Sequence, residues 1–202
     1  MIVDDFMPTF DVSDAVATVV DADLATTWDA LMDVDLIEVG RRRPLVGMLG
    51  ALRVLPEIVS HLLHGEAPPA APRQLRLREM SSLPQDKGGW ILLGERARDE
   101  IALGLVGKFW RPVIEFAKVA PASFRDFAEP GYAKTIYSLS VRSVGDRRTL
   151  LSGVMRTTTT DEHARRWFRR YWTFGVGSGA HILVYGLLDV TREMAERSDR
   201  SG

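Results

Sequence analysis

The sequence predicts an α+β fold in which a long C-terminal helix packs on an antiparallel sheet. Between residues 9 and 159, polar and apolar residues alternate in several separate segments, and this two-residue repeat is typical of half-buried strands. From Glu162 to about Arg197 the apolar residues instead recur at helical spacing. A chain of 202 residues, 46% of them hydrophobic, can build one normal core, so we expect a single domain over residues 1–202.

The first predicted strand leads directly into the first predicted helix. Thr9 to Val20 alternates and is rich in β-branched residues, which favours a strand. Asp21 or Asp23 then caps a segment with helical spacing, because a carboxylate at this point can accept the first free backbone N–H groups. The apolar residues of this short helix are Leu24, Trp28, Leu31 and Met32.

Residues 34–72 predict a helical insert followed by a proline-rich connector over 67–72. The helical part is one amphipathic helix bent at Pro56, or two helices that meet there. We expect its apolar stripe to be buried over the opening of the sheet, so that the insert forms a lid. The stripe contains Leu45, Met48, Leu49, Leu52, Leu55, Val59, Leu62 and Leu63.

Six further segments predict strands, which together with the first strand give a curved sheet of about seven. Turn-forming residues separate several of them, most clearly at 86–89 and at Gly145-Asp146. The segments are Gln74–Ser81, Trp90–Arg96, Asp99–Trp110, Val113–Val119, Tyr132–Val144 and Thr149–Thr159.

The C-terminal helix begins after Asp161, which is another good N-cap. Glycines at 175, 177 and 179 interrupt its pattern, so we expect a kink or a break there. A strongly curved sheet wrapped on this helix would leave a space between the two, lined by the apolar residues of both.

Composition and charge exclude several classes of protein. The chain has no cysteine, which excludes disulfides, thiolate metal sites and cysteine nucleophiles, and no secretory signal is visible, so we expect a cytoplasmic protein. The net charge of −1 argues against a dedicated nucleic-acid binder. No phosphate loop, dinucleotide fingerprint, nucleophile elbow or convincing metal-ligand set occurs, so we expect no cofactor and no metal. The longest apolar stretch, 44–63, contains Arg53, Pro56 and Glu57, which argues against a membrane span.

The charges are unevenly distributed along the chain. Residues 1–38 contain ten Asp and Glu residues and no Lys or Arg. The rest of the chain is therefore basic, and we expect the two parts to lie against each other and to pair their charges.

Four stretches resemble one superfamily in both order and spacing. They are VVDADLATTWDAL over 19–31, LGLVGKFWRP over 103–112, FRDFAEPGYAKTIYSLSV over 124–141 and TTTTDEHARRWFRRYW over 157–172. The chain thereby resembles the START-like (SRPBCC) superfamily, in particular an uncharacterised bacterial branch related to polyketide cyclases and lipid-transport-like proteins. The resemblance implies the helix-grip fold and a deep cavity for an apolar or amphipathic ligand.

We therefore expect a carrier or sensor of a lipid- or polyketide-like molecule. Aromatic, sulfur and polar side chains of the predicted sheet and final helix are the candidate ligand contacts. They are Trp90, Trp110, Arg111, Phe116, Phe124, Tyr132, Tyr137, Met155, Trp172 and Tyr185.

Two other functions remain open at the level of sequence. A cyclase or dehydratase could use the same cavity, with His181, Tyr137 or Arg111 guiding enolate chemistry, although the sequence favours a binding protein over an enzyme. Alternatively, Arg41, Arg42 and Arg43 with the helix that follows could make a weak membrane contact or a protein contact. The sequence leaves the oligomeric state open.

Overall fold

The computed structural model describes residues 1–65, 67, 73–85 and 89–201. The predicted turn at 86–89 and the predicted connector at 67–72 lie outside this description, apart from residues 67 and 89. The helices are α1 (Ile2–Phe6), α2 (Leu24–Asp33), α3 (Leu36–Arg42), α4 (Pro44–Leu63), α5 (Glu162–Tyr171) and α6 (Gly177–Ser201). The strands are β1 (Val12–Val20), β2 (Ile91–Arg96), β3 (Glu100–Gly107), β4 (Ala133–Ser143) and β5 (Thr149–Thr159).

The five strands form one antiparallel sheet in the order β1-β5-β4-β3-β2, so the first strand pairs with the last. The register aligns Val16 with Gly153, Gly153 with Leu139, and Leu139 with Ile101. Because side chains alternate along each strand, this row points to one face of the sheet, which we call the inner face. The helices α2 and α6 pack on the inner face around Leu139 and Ile101.

The opposite, outer face has its own apolar cluster. Helix α1 and the chain around Phe124 cover it, and Ile136 of β4 lies in its centre. The buried carboxylate of Glu100 accepts hydrogen bonds from the backbone N–H of Ile2, at 2.9 Å, and from the hydroxyl of Ser138. This carboxylate therefore holds the start of α1 against the sheet.

The structure selects Asp23 over Asp21 as the N-cap of α2 and confirms Asp161 as the N-cap of α5. Asp23 accepts a hydrogen bond from the Thr26 N–H, and Asp161 accepts one from the Ala164 N–H, each at 2.7 Å. A π-helical turn over residues 172–176 joins α5 to α6, and the two helices are inclined by 65°. This turn begins three residues before the first of the three glycines that predicted the kink.

The described part of the chain has five strands, and the prediction of about seven was wrong for two segments. The segment from 74 to 81 forms a 3₁₀ helix over Leu77–Ser82, because its buried residues Leu77 and Met80 are three apart, which is the 3₁₀ repeat. Its backbone bonds to the α2–α3 connection, where the Leu77 N–H donates to the carbonyl of Val34.

The predicted strand over 113–119 is a loop that folds back on the end of β3. It makes one isolated bridge, between Phe116 and Gly107. A turn closed by the Arg111 N–H on the Lys108 carbonyl precedes this loop, and Pro112 has no N–H to donate to a ladder.

The helical insert is present, but its two helices meet at Arg43 and Pro44 rather than at Pro56. Proline is tolerated at the first position of α4 because that N–H has no partner within the helix. Helix α4 then continues through Pro56.

The acidic N-terminal part pairs with basic residues of the rest of the chain, as its charge predicted. Three ion pairs illustrate this: Asp4–Arg156 at 2.8 Å, Asp11–Arg165 at 3.0 Å and Asp33–Arg78 at 2.7 Å.

Candidate ligand-binding cavity

Two adjoining chambers lie between the inner face of the sheet and the helices. Chamber A, of about 160 Å³, lies under α5 and the π-helical turn. Chamber B, of about 240 Å³, lies under α3, the first turn of α4 and the middle of α6. Side chains that line chamber A include Leu105, Phe116, Met155, Phe168 and Trp172. Those that line chamber B include Val39, Val46, Leu77, Leu103 and Leu187.

Trp90 and Tyr137 separate the two chambers, because both side chains line both of them. Their rings meet edge to face, with centroids 5.3 Å apart and planes at 79°. Tyr137 points to the inner face from the middle of β4, between Leu103 of β3 and Met155 of β5. Trp90 immediately precedes β2. Strand β4 thus positions the Tyr137 ring, and the start of the edge strand β2 positions the Trp90 ring.

The Tyr137 hydroxyl is a polar group on the wall that both chambers share. Within the described part of the chain it has no hydrogen-bond partner. By contrast, the hydroxyls of Thr135 and Thr157, which also line chamber A, bond to each other at 2.8 Å. Burial raises the pKa of Tyr137 above its usual range, with smaller contributions from Tyr171 and Asp14. The hydroxyl therefore stays protonated at neutral pH and can donate a hydrogen bond.

The loop after β3 closes one side of chamber A. Phe109 and Phe116 of this loop face the chamber. An ionic network on its outer side holds it in place: Glu115 pairs with Lys108 and Arg111 and accepts a hydrogen bond from the Tyr132 hydroxyl at 3.1 Å. The hydrogen bond from Lys108 is the main cause of the lowered pKa of Glu115.

The π-helical turn places Trp172 at the end of chamber A. Gly177 permits this position, because a Cβ atom there would lie 2.7 Å from Cε2 of the indole. Phe168, one turn earlier, packs against the same indole with ring centroids 5.8 Å apart. Gly177, one of the glycines that predicted a break in the helix, thus leaves room for the Trp172 indole in the wall of chamber A.

Half of the predicted ligand contacts line the chambers. These are Trp90, Phe116, Tyr137, Met155 and Trp172.

The other predicted contacts lie elsewhere. Phe124 and Tyr132 belong to the outer-face cluster, because the Tyr132 side chain points the opposite way from Tyr137. Trp110 packs beside the cluster around Phe109 without lining a chamber. Arg111 is 53% exposed and pairs with Glu115 outside the cavity. The Tyr185 side chain is 54% exposed on α6.

Of the three candidate catalytic residues, Tyr137 alone faces the cavity. Arg111 lies on the outside, and His181 is half exposed in an open groove beside β1. There the Nδ1 atom of His181 is 2.9 Å from the carboxylate of Asp14. His181 therefore lies on the side of α6 that faces the edge strand β1, and not on the side that faces the chambers.

Sequence reasoning missed several lining residues. Leu105 lines chamber A and Leu103 lines chamber B, and strand alternation places them on the same face as their cross-strand neighbours Thr135 and Tyr137. That Leu103 and Leu105 face the cavity could be recognised only once the register of β3 was known. Leu36, Val39 and Val46 line chamber B from the insert, and a helical pattern alone does not show what such residues contact.

The predicted lid is only partly formed. Val46 is buried on chamber B, but most of the apolar stripe of α4 faces solvent. Seven of its side chains lie within an arc of about 100°. We call them the α4 stripe: Leu45, Met48, Leu52, Leu55, Val59, Leu62 and Leu63. By length and composition α4 could cross a membrane, because its most apolar stretch has a mean hydropathy of 1.4. Only 6% of that stretch is buried inside the protein.

The basic triplet before α4 forms ion pairs within the molecule. Arg43 binds Asp189 and Glu193 of α6, at 2.6 and 2.5 Å. Arg42 binds Glu38 at 2.8 Å, and Arg41 lies 3.8 Å from the same carboxylate. Arg43 therefore fastens the insert to α6, and Arg42 adds a longer contact to Glu193 at 3.8 Å.

Searches of family models and of curated proteins found no match for this chain. Two solved structures are similar. A conserved protein from Geobacillus kaustophilus is 11% identical with a TM-score of 0.41, and the match covers 93% of this chain and 97% of that one. The hypothetical protein jhp0584 from Helicobacter pylori is 9% identical with a TM-score of 0.38, and the match covers 92% of each chain. At this level of similarity, neither structure supports a conclusion about function.

Proposed function

We propose that the chain binds a small apolar or amphipathic molecule, lipid- or polyketide-like, in chambers A and B, as a carrier or sensor. The observation that carries this proposal is the unpartnered Tyr137 hydroxyl on the wall between two apolar chambers. Tyr137 is partly buried and its hydroxyl can still donate a hydrogen bond, so a ligand that accepts this bond gains affinity.

The sizes of the chambers favour an elongated ligand. Chamber A is similar in volume to a cavity of ~150 Å³ that holds one benzene molecule. Each chamber alone is smaller than the ~300 Å³ at which most ligand pockets begin. A chain-like or multi-ring molecule would therefore occupy both chambers and displace the Trp90–Tyr137 contact.

The lining also restricts the chemistry of the ligand. The described side chains that line the two chambers are uncharged. An ionised group inside them would lose its hydration without gaining a counter-charge. The group that meets Tyr137 is therefore a neutral acceptor, such as a carbonyl, ether or hydroxyl oxygen.

We propose further that the chain is a START-like domain of the helix-grip type. Three features support this relation: the motifs named above, the pairing of the first strand with the last, and a bent C-terminal helix that packs with α2 on the inner face. The sheet has two strands fewer than the sequence predicted, because residues 77–82 form a 3₁₀ helix and residues 113–119 form a loop.

A cyclase or dehydratase that uses the same cavity is the second candidate. Tyr137 could polarise a substrate carbonyl. Enolate chemistry also needs a base within reach, however, and His181 and Arg111 both lie outside the chambers. The cavity therefore favours binding over catalysis.

The test combines native mass spectrometry of the freshly purified protein with thermal unfolding in the presence of acyl, sterol and polyketide-like compounds. A neutral ligand should raise the midpoint of unfolding. Tyr137→Phe should weaken binding by about 2- to 13-fold, because it removes one hydrogen bond. Tyr185→Phe is the matched control, since it makes the same change at an exposed position.

If Tyr137→Phe binds the ligand as tightly as wild type, the ligand does not accept a hydrogen bond from the Tyr137 hydroxyl. If no compound raises the midpoint and no small molecule is retained, the binding function itself is excluded. Turnover of a polyketide-like substrate that Tyr137→Phe abolishes would instead favour the enzyme.

A further inference from the structure

We propose that the α4 stripe and the exposed arginines of α5 together form a docking face for an anionic lipid surface. This face lies outside the two chambers, so the proposal does not depend on what they bind. It also differs from the membrane contact that the sequence suggested, because the Arg41–Arg43 triplet is engaged in ion pairs.

The α4 stripe is an unusual surface for a protein in water. Leu45, Leu52 and Leu62 are each close to 60% exposed, and Leu63 is 81% exposed. Helix α4 has 20 residues and is about 30 Å long, so the stripe is a continuous apolar band. A helix of this kind can lie in the plane of a bilayer interface with its apolar side among the acyl chains.

The stripe runs toward the bend between α5 and α6. Val46 of α4 packs beside Gly186, and Leu49 packs beside Gly179, where a Cβ atom would lie 3.6 Å from Leu49 Cδ2. Helix α4 is thus antiparallel to α6, and its later turns point toward the start of α6. At that end of the helical layer Phe174 projects from the π-helical turn and is 86% exposed.

Helix α5 supplies the positive charge at the same end. Its buried side carries Phe168, and its outer side carries Arg166, Arg169 and Arg170, all exposed. In the part of the chain that the structure describes, Arg166 and Arg169 form no ion pair. Arg170 lies over the ring of Trp167, 5.4 Å from its centroid, and Trp167 is 45% exposed. Arginine beside tryptophan is typical of the headgroup region of a membrane.

An anionic bilayer satisfies both parts of this face together. Lipid phosphates neutralise the arginines, and the hydrocarbon boundary covers Phe174 and the α4 stripe. A nucleic acid would bind the arginines but would leave the aliphatic band in water. A second copy of the chain would cover the band but would bring like charges together.

The experiment measures co-sedimentation with vesicles of phosphatidylcholine alone and of phosphatidylcholine with phosphatidylglycerol. We expect binding that needs phosphatidylglycerol and weakens as salt is raised. Each arginine near an anionic surface contributes about fivefold to affinity, so the triple variant Arg166→Gln, Arg169→Gln, Arg170→Gln should bind on the order of 100-fold more weakly.

Two further variants make the result specific. Leu52→Ser with Leu55→Ser should reduce binding at any salt concentration, because it removes apolar area from the band. The control triple variant Arg98→Gln, Arg142→Gln, Arg148→Gln changes three exposed arginines at the opposite end of the sheet and should bind like wild type. Circular dichroism checks that each variant is folded.

Four outcomes would overturn the proposal. They are no binding to phosphatidylglycerol vesicles, equal losses in the two arginine triples, stronger binding to a 20-base-pair duplex than to vesicles, and a dimer in sedimentation that Leu52→Ser with Leu55→Ser dissociates.

Discussion

Glu115 shows how one carboxylate can hold a wall of the cavity. It lies in the loop after β3 and faces two cations, Lys108 and Arg111, and the hydroxyl of Tyr132. Lys108 also lies over the Tyr132 ring, 4.5 Å from its centroid. Through these contacts the outer side of the loop is fixed while Phe116 faces chamber A on the other side.

At the residue scale we predict a pH-dependent contribution to stability. The pKa of Glu115 is lowered in the folded protein, so its ionised form stabilises the fold above the unfolded-state pKa, and this stabilisation is lost as pH falls through the folded pKa. Lys108 has a raised pKa, so its contribution is lost only at alkaline pH. Glu115→Gln should therefore lower the free energy of unfolding at pH 7 by ~1 kcal/mol or less, because the pair is partly exposed.

The measurement is urea unfolding between pH 3 and pH 7. The difference between wild type and Glu115→Gln should shrink toward pH 3, whereas the exposed control Glu95→Gln should track wild type throughout. A constant difference over this range would show that the carboxylate acts by packing rather than by charge.

At the scale of elements, the bend between α5 and α6 shapes chamber A. A straight helix would carry Trp172 along the α6 axis, whereas the π-helical turn lets its indole line the chamber. The indole packs between Phe168 and the backbone of Gly177. A π-helical turn inside an α-helix is often found at a functional site.

Gly177→Ala tests this element. The new Cβ atom would lie 2.7 Å from the Trp172 indole, which must then shift into chamber A. We expect a loss of ~1–3 kcal/mol in the free energy of unfolding, together with weaker ligand stabilisation.

Gly50→Ala is the matched control within α4, because nothing lies within 4 Å of its Cβ position. That variant should be as stable as wild type or more stable by up to ~1 kcal/mol, since alanine is the better helix former. Unfolding in urea and thermal shifts with a bound compound measure both effects. If both alanines behave alike, the indole is not confined by Gly177.

At the scale of the whole molecule, the cavity is a joint product of the sheet and the helical layer. Chamber B needs Leu103 from the sheet, Leu187 from α6 and Val39 from the insert. Arg43 fastens the insert to α6 through Asp189. None of these elements encloses the space alone, so ligand binding should be coupled to the folding of the entire chain.

We therefore predict a single unfolding transition whose midpoint rises with ligand concentration. A ligand that binds only the folded state stabilises it by ~2.7 kcal/mol at a hundredfold excess over its dissociation constant. Differential scanning calorimetry with increasing amounts of the best compound checks this. Two separate transitions, with only one of them responsive to ligand, would show that the insert unfolds independently.

Much of the local structure followed from the sequence because it depends on neighbouring residues. Strand alternation places Tyr137 and Ile136 on opposite faces of the sheet, and short-range capping chemistry accounts for the starts of α2 and α5. Of the predicted contacts that line the chambers, Tyr137 and Met155 lie on inner faces of strands, whereas Phe116 lies in the loop after β3 and Trp172 in the π-helical turn.

Tertiary structure decided what each apolar surface meets. An apolar stripe predicts burial but does not name a partner, so α4 was expected to cover the cavity, and instead it leaves the α4 stripe in solvent. Alternation over 74–81 matched a strand, yet the chain satisfied its hydrogen bonds with the α2–α3 connection and became a 3₁₀ helix. The place of His181 depended on Asp14, a partner far away in the sequence, and no local pattern predicts a contact of that kind. The sequence by itself determined the periodicity and the caps of the elements, because those are local, whereas the cavity and the exposed face arise from how the elements pack.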